Sequence, residues 1–221
     1  EVMKNVAGFD VSRLMAGSLG TLGVLLDVSM KILPHRQAEQ TVVIESDLNE
    51  SIQIMNRWAG TALPITAMAA DGAFTYFRIC ATPSAVEKTA AQIGGDIYAD
   101  GLQLWKEIRE QQLPFFNDER PLWRLSVPSD APHPILRDAP PWDWFIGWGG
   151  AQRWLKSELP AEVIFEAAKA AGGHATLFRG GDRSTDLFAP LSDGNRVLHE
   201  RLKVAFDPKG ILNPGRMYKD L

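Results

Sequence analysis

The sequence predicts an α+β fold, an antiparallel sheet with helices packed on one face, in a ferredoxin-like βαββαβ arrangement that carries extra elements. Three observations predict it. Short runs at 41–45, 64–69, 73–81, 122–127, 142–148 and 174–178 read as strands, bounded by Gly, Pro and Asp-Gly signals. Helical stripes interrupt them too irregularly for a run of parallel βαβ units. Hairpin signals, such as Asp71-Gly72 between 64–69 and 73–81, join strands directly.

Taken in order, residues 24–32 alternate: Val24, Leu26, Val28, Met30 and Ile32 share one face, Asp27, Ser29 and Lys31 the other. That pattern predicts a strand with one wet side, ended by Pro34. Asp47 followed by Glu50 is a capping-box pattern, and Leu48, Ile52, Met55 and Ala59 continue it as a helical stripe. Thr82-Pro83-Ser84 opens a second helix, with Val86, Ala90 and Ile93 inward and Gly94-Gly95 as its stop. Residues 96–99 predict a short strand, and Leu104, Trp105 and Ile108 mark a helix over 101–111. From Pro128 to Pro141 the chain holds five prolines and is a loop. Trp142, Trp144, Ile146 and Trp148 then share one strand face, with core packing and a docking surface both open as readings. Helices follow at 161–171 and 195–204.

The 221 residues suffice to bury a sizeable core, and 45% of them are hydrophobic. A net charge of −4 with scattered basic residues gives no footprint for nucleic acid. Cys80, the lone cysteine, excludes an intramolecular disulfide, and Cys and His are too few for a zinc or iron–sulfur cluster. No apolar stretch is long enough to span a bilayer as a helix. The chain starts at Glu1 rather than Met, inside a motif, and reads as the C-terminal piece of something longer.

Gly17, Gly20 and Gly23, with Ser18 and Thr21 between them, lie directly before the 24–32 pattern. Such a segment either turns tightly or presents N–H groups to a phosphate or base edge. Its spacing is neither a Rossmann fingerprint nor a Walker loop.

Two segments carry a resemblance. Lys4-Asn5-Val6-Ala7-Gly8-Phe9-Asp10, Arg13-Leu14 and Gly17-Ser18-Leu19-Gly20-Thr21-Leu22-Gly23-Val24 resemble the second half of the FAD-binding (PCMH-type) domain in vanillyl-alcohol oxidase type flavoproteins. The segment from Phe206-Asp207-Pro208 to Asn213-Pro214-Gly215-Arg216-Met217 resembles the C-terminal signature of that family's glycolate and D-lactate branch. The Trp-rich part and Gly172-Gly173-His174 to Arg179 resemble the FAD-binding subunits of bacterial glycolate oxidases within it.

The resemblance implies three parts: 1–36, the end of the FAD-binding domain; 37–194, a substrate-side cap; and 195–221, a return to the FAD domain. It implies FAD in the full-length protein, with Gly17, Ser18, Gly20, Thr21, Gly23 and Val24 on its adenosine diphosphate side and Asn213 returning toward the flavin. With the other phosphate-binding loop upstream, this chain alone is expected to be inactive and without FAD. The implied partners are a catalytic FAD subunit and an iron–sulfur subunit of a glycolate oxidase complex, with a small 2-hydroxy acid such as glycolate as substrate. The implied location is cytoplasmic, either free or peripheral on the membrane's cytoplasmic face. A self-sufficient 2-hydroxy-acid dehydrogenase and a non-catalytic assembly or electron-relay module are the alternatives.

Oxidising a 2-hydroxy acid needs a holder for the carboxylate, a proton acceptor and a hydride acceptor. Arg124 is the first candidate holder: Trp123, Leu125 and Val127 take one strand face, which leaves Arg124 on the other. Arg78 and Arg179 sit in similar contexts, and His174 is a candidate base. Each has a plain structural alternative, a solvated strand arginine or a helix-end histidine. His35, His133 and His199 read as solvent-facing. The family's paired histidines have no counterpart around Gly180-Gly181-Asp182-Arg183-Ser184, which removes the expected metal site and sets this chain apart from the catalytic members.

Overall fold

The structure, a computed structural model, describes residues 10–32, 36–133, 135–136, 139–183 and 186–221. They divide into two compact units, one from the described residues of Glu1–Ile32 and Asp186–Leu221, the other from those of Leu33–Thr185. The described chain opens with a short helix, α1 (Val11–Met15), in the first unit.

The second unit is built on one eight-stranded sheet in which every pairing is antiparallel. Its first half runs β1 (Ala38–Glu45), α2 (Leu48–Ala59), β2 (Ile65–Ala70), β3 (Phe74–Ala81), α3 (Pro83–Ile93) and β4 (Asp96–Ile97). After α4 (Gly101–Glu110), the second half runs β5 (Leu122–Ser126), β6 (Trp144–Gly147), β7 (Gln152–Lys156), α5 (Ala161–Ala170) and β8 (His174–Arg179). The order β4-β1-β3-β2-β6-β7-β5-β8 is therefore two ferredoxin-like units set side by side and joined at β2–β6. In the half made of β5–β8, no α-helix lies between β5 and β6 among the described residues, and the proline-rich segment runs there instead.

Local chemistry explains the elements. Asp47 Oδ1 accepts from Glu50 N at 2.9 Å and Asp47 N donates to Glu50 Oε2 at 3.3 Å, so the expected capping box starts α2. Pro83 lies in the first turn of α3, where no N–H is needed. Gly173 shows why a glycine stands between α5 and β8: a Cβ there would collide with Ser126 O and lie 2.8 Å from Val127 Cα. Gly173→Ala is expected to cost about 2 kcal/mol or more, read as a lower urea midpoint at unchanged slope.

The two sheet faces are both used. On one, Val42, Phe77 and Ile79 pack with Val86 and Ile93 of α3, and Trp123 meets Phe165 of α5 edge-on at 5.7 Å. On the other, Tyr76, Phe145, Leu122 and Trp154 pack with Leu104 and Trp105 of α4 and with Phe116 of the 3-10 turn Pro114–Asn117. The expectation of helices on a single face thus needs correction. The helix at 101–110 is amphipathic and covers part of the second face, where Trp105 Nε1 donates to Thr41 Oγ1 at 2.9 Å.

Three further expectations change. Residues 24–32 form no strand: the alternation is there, but among the described residues no neighbouring strand supplies hydrogen bonds, and Val24, Leu26, Met30 and Ile32 stay exposed. Trp142 and Trp148 fall outside β6, in 3-10 turns, and are exposed, whereas Trp144 and Trp154 are core; the single tryptophan face does not exist. Trp144 and Ile146 point opposite to Phe145, and Trp154 belongs to Phe145's side.

His133 is not solvent-facing either. Its ring meets Trp144 edge-on at 5.0 Å, and burial, with Arg153 nearby, pushes its pKa down to about 4. Its folded value lies below its unfolded one, so the stability it allows is full above about 6.5 and is lost as pH falls toward about 4. Partial exposure limits the loss to about 1–2 kcal/mol. Urea unfolding at pH 7.5 and pH 5 should show this loss, and His133→Phe should remove it. His35 lies outside the described residues.

Candidate functional site

The glycine-rich segment is positioned from both ends of the first unit. Asp10 caps α1 through Arg13 N at 3.1 Å, and the chain leaves α1 by a series of turns in which Thr21 Oγ1 donates to Ser18 O at 2.7 Å. From the other end comes α6 (Asp193–Phe206), whose Lys203 Nζ donates to Thr21 O at 3.0 Å, Leu212 O at 2.6 Å and Asp207 Oδ2 at 2.7 Å. Asp207 in turn accepts from Ile211 N at 3.2 Å and Leu212 N at 2.8 Å. The Lys203 contact and these N–H groups hold the Asp207 carboxyl down to about 2. Asn213 Nδ2 donates to Leu19 O at 2.9 Å. Gly20, at φ +75°, has no room for a side chain: a Cβ would sit 2.8 Å from Asn213 Nδ2.

The structure therefore brings Gly17, Ser18, Gly20, Thr21, Gly23, Val24 and Asn213 into one unit, around one knot. Hollows lie on both flanks of the segment. One, of about 190 Å³, touches Gly17, Ser18, Thr21, His199, Lys203 and Tyr218. The other, of about 500 Å³, touches Ser18, Gly20, Gly23, Val24, Leu212 and Asn213. The N–H groups of Gly20 and Gly23 find no protein acceptor among the described residues. Backbone donors beside hydroxyls, with glycines clearing the approach, suit the polar side of a dinucleotide. Lys203 and Asp207 were the residues missed as structural anchors. Their four-residue spacing, just before the terminal motif, was the available signal.

In the sheet unit, strand alternation places Arg124 and His174 on the same face as Trp154 and Phe178, opposite Trp123 and Leu125. Arg124 lies over the Phe178 ring at 5.9 Å and pairs in register with Thr176, while His174 pairs with Ser126 and is exposed. Arg179 differs: its Nη2 donates to Phe116 O at 2.8 Å, so it ties β8 to the 3-10 turn. A cleft of about 660 Å³ opens on this face, between α4 and strands β2, β6 and β7. Arg78 lines it, but Arg124, His174 and Arg179 do not. Arg78 Nη2 meets Glu39 Oε2 at 2.5 Å, and Glu39 also accepts from Cys80 Sγ at 3.4 Å. Burial pushes the Cys80 thiol up.

Over all 221 of its residues the chain is 44% identical to glycolate oxidase subunit GlcE of Escherichia coli (strain K12). The chain is a homologue of that subunit. It spans 61% of the GlcE length. No family model matches the chain. An identity at this level, running through both the terminal unit and the sheet unit, makes the α+β architecture with its antiparallel eight-stranded sheet the one to expect in GlcE over the same span.

Proposed function

We propose that the chain is part of an FAD-binding subunit of a glycolate-oxidising complex. Residues 1–36 and 195–221 contribute to a vanillyl-alcohol oxidase type FAD-binding domain, and 37–194 form its cap. Gly17, Ser18, Gly20, Thr21, Gly23 and Val24 face the adenosine diphosphate side of FAD, and Asn213 fixes the loop that carries them. The observation that carries this reading is the Lys203–Thr21–Leu212 knot, which draws both glycine-rich and terminal motifs into one body beside N–H groups without an acceptor among the described residues. The 44% identity to a glycolate oxidase subunit supports the same assignment.

FAD supplies the hydride acceptor when bound. The chain's residues supply the setting. Arg124 offers a cation for a carboxylate, and His174, on the same strand-pair face, offers a proton acceptor. A catalytic FAD subunit and an iron–sulfur subunit complete the complex, at or near the cytoplasmic face of the membrane. The missing histidine pair is the reason to place the main catalysis in a partner.

The test is the visible absorption of the product of the intact gene, expressed alone. Retained flavin that glycolate bleaches only after a partner subunit is added is the expected result. Bleaching by glycolate alone would replace this reading with a self-sufficient dehydrogenase, and a colourless protein in excess FAD would end it.

A further inference from the structure

We propose that the outer rim of β8, the last strand of the sheet, is an interface through which two copies of this chain pair edge to edge. The interface stands on the sheet unit alone and does not depend on the flavin reading. The sheet ends unequally. At one end β4 has two residues, so little rim is left to pair. At the other, β8 has six residues and pairs with β5 alone. Among the described residues no other backbone group bonds to it. An uncovered strand edge is a template for another strand, and proteins blunt the edges that stay single with proline, charge or a short strand. Ala175, Thr176 and Leu177, the middle of β8, carry neither proline nor charge. Gly172-Gly173 and Gly180-Gly181 bracket the strand and leave the approach at either end clear.

Two features select a second copy as the occupant. The first is register. A two-fold axis through Thr176 sets Ala175 against Leu177 and His174 against Phe178, and opposed residues then share a sheet face. The strand's two basic residues stay apart, since Arg179 falls opposite Gly173. Phe178, 42% exposed, gains a ring against it. The second feature is α5, which packs over β8. Its Phe165 reaches inward to Trp123 of β5. Helical spacing puts Val163 and Ala167 on the opposite flank, above the uncovered rim, and Glu162 and Lys169 on the inner one. Val163 is 44% exposed. Strands repeat every ~4.8 Å, whereas packed helices need about 8–10 Å, so helices seated over neighbouring strands crowd unless their facing flanks are small. A flank of valine and alanine, without charge, fits the α5 of a second copy across the axis. A bare strand from another protein would leave that flank uncovered.

The test is sedimentation velocity of the full chain over roughly 1–200 µM, with amide exchange of β8 measured at both limits. A reversible dimer is expected, with exchange at residues 175–178 slowed at least about tenfold in the concentrated sample. Val163→Glu, at an exposed position in the first turn of α5 where an acid suits the helix, should keep the far-UV spectrum and weaken the dimer at least about tenfold. Lys169→Gln, on the inner flank, should leave the dimer unchanged. A monomer throughout, a dimer whose β8 amides exchange as fast as the monomer's, or a Val163→Glu dimer as tight as the parent's would each overturn the proposal. So would protection of β8 that arises only when a separate subunit is added.

Discussion

Replacing Arg153 by Met is expected to lower stability by about 3 kcal/mol and the melting temperature by about 6–12 °C, because three carbonyls lose their donors at once. Arg153 is fully buried. Its Nε donates to Gly150 O at 3.1 Å, one terminal nitrogen to Pro132 O at 3.0 Å and the other to Ala131 O. Two effects oppose each other. Burial costs the guanidinium dearly and pulls its pKa down to about 10, so methionine would relieve a desolvated charge. Against that, the segment between β5 and β6 is rich in proline, which brings carbonyls without N–H groups. Those carbonyls have no helix to satisfy them, and Arg153 reaches across to do so. At neutral pH the side chain remains charged, so the hydrogen-bond loss outweighs the relief. Arg153→Lys should recover only part of the stability, because one ammonium lacks the planar fork. Differential scanning fluorimetry on the two variants separates the outcomes; a Met variant as stable as the parent would show that the carbonyls re-pair elsewhere.

Lys203→Met should release the terminal unit. The substitution strips the donor from Thr21 O and Leu212 O and leaves the buried Asp207 carboxylate without its cation. Amide exchange at Ile211 and Leu212 is expected to accelerate at least about tenfold, with the sheet unit unaffected. The same knot should resist acid. The Asp207 pKa is depressed in the folded chain, so its contribution is present above the unfolded value near 3.9 and disappears only as pH falls through about 2. Exchange measured at pH 4 should therefore still show the knot protected. In the intact gene product, the same variant tests the proposed flavin role by its retained colour.

Much of this was legible in the sequence because the chemistry is local. The Asp47–Glu50 capping box, Pro83 in a first turn and the strand alternation of Trp123, Arg124 and Leu125 depend on residues a few positions apart, and the structure follows them. What was not legible depends on distant partners. Residues 24–32 have the alternation of a strand, but hydrogen bonding decides whether a strand exists, and no partner is adjacent among the described residues. His133 looked exposed in a proline-rich loop, yet that loop packs where a helix would lie and puts the ring on Trp144. The cleft arises from α4 lying across strands far away in sequence, so no local pattern marks it. Conversely, the joint placement of Gly20 and Asn213 was expected only through resemblance, and the Asn213 amide over Leu19 O supplies a physical reason for it.

The side-by-side halves have a mechanical corollary. Strands β1 and β3 are zipped along their whole length, from Ala38↔Ala81 to Glu45↔Phe74, while the two halves' strands pair through just Ala69↔Gly147 and Ala70↔Ile146, beside the aromatic core they share. Bonds loaded a few at a time give way before a long row sharing the strain. Under tension the molecule has a built-in fault line there, reinforced by the Asn56–Ser129 rivet at 2.8 Å, and each half should come away whole.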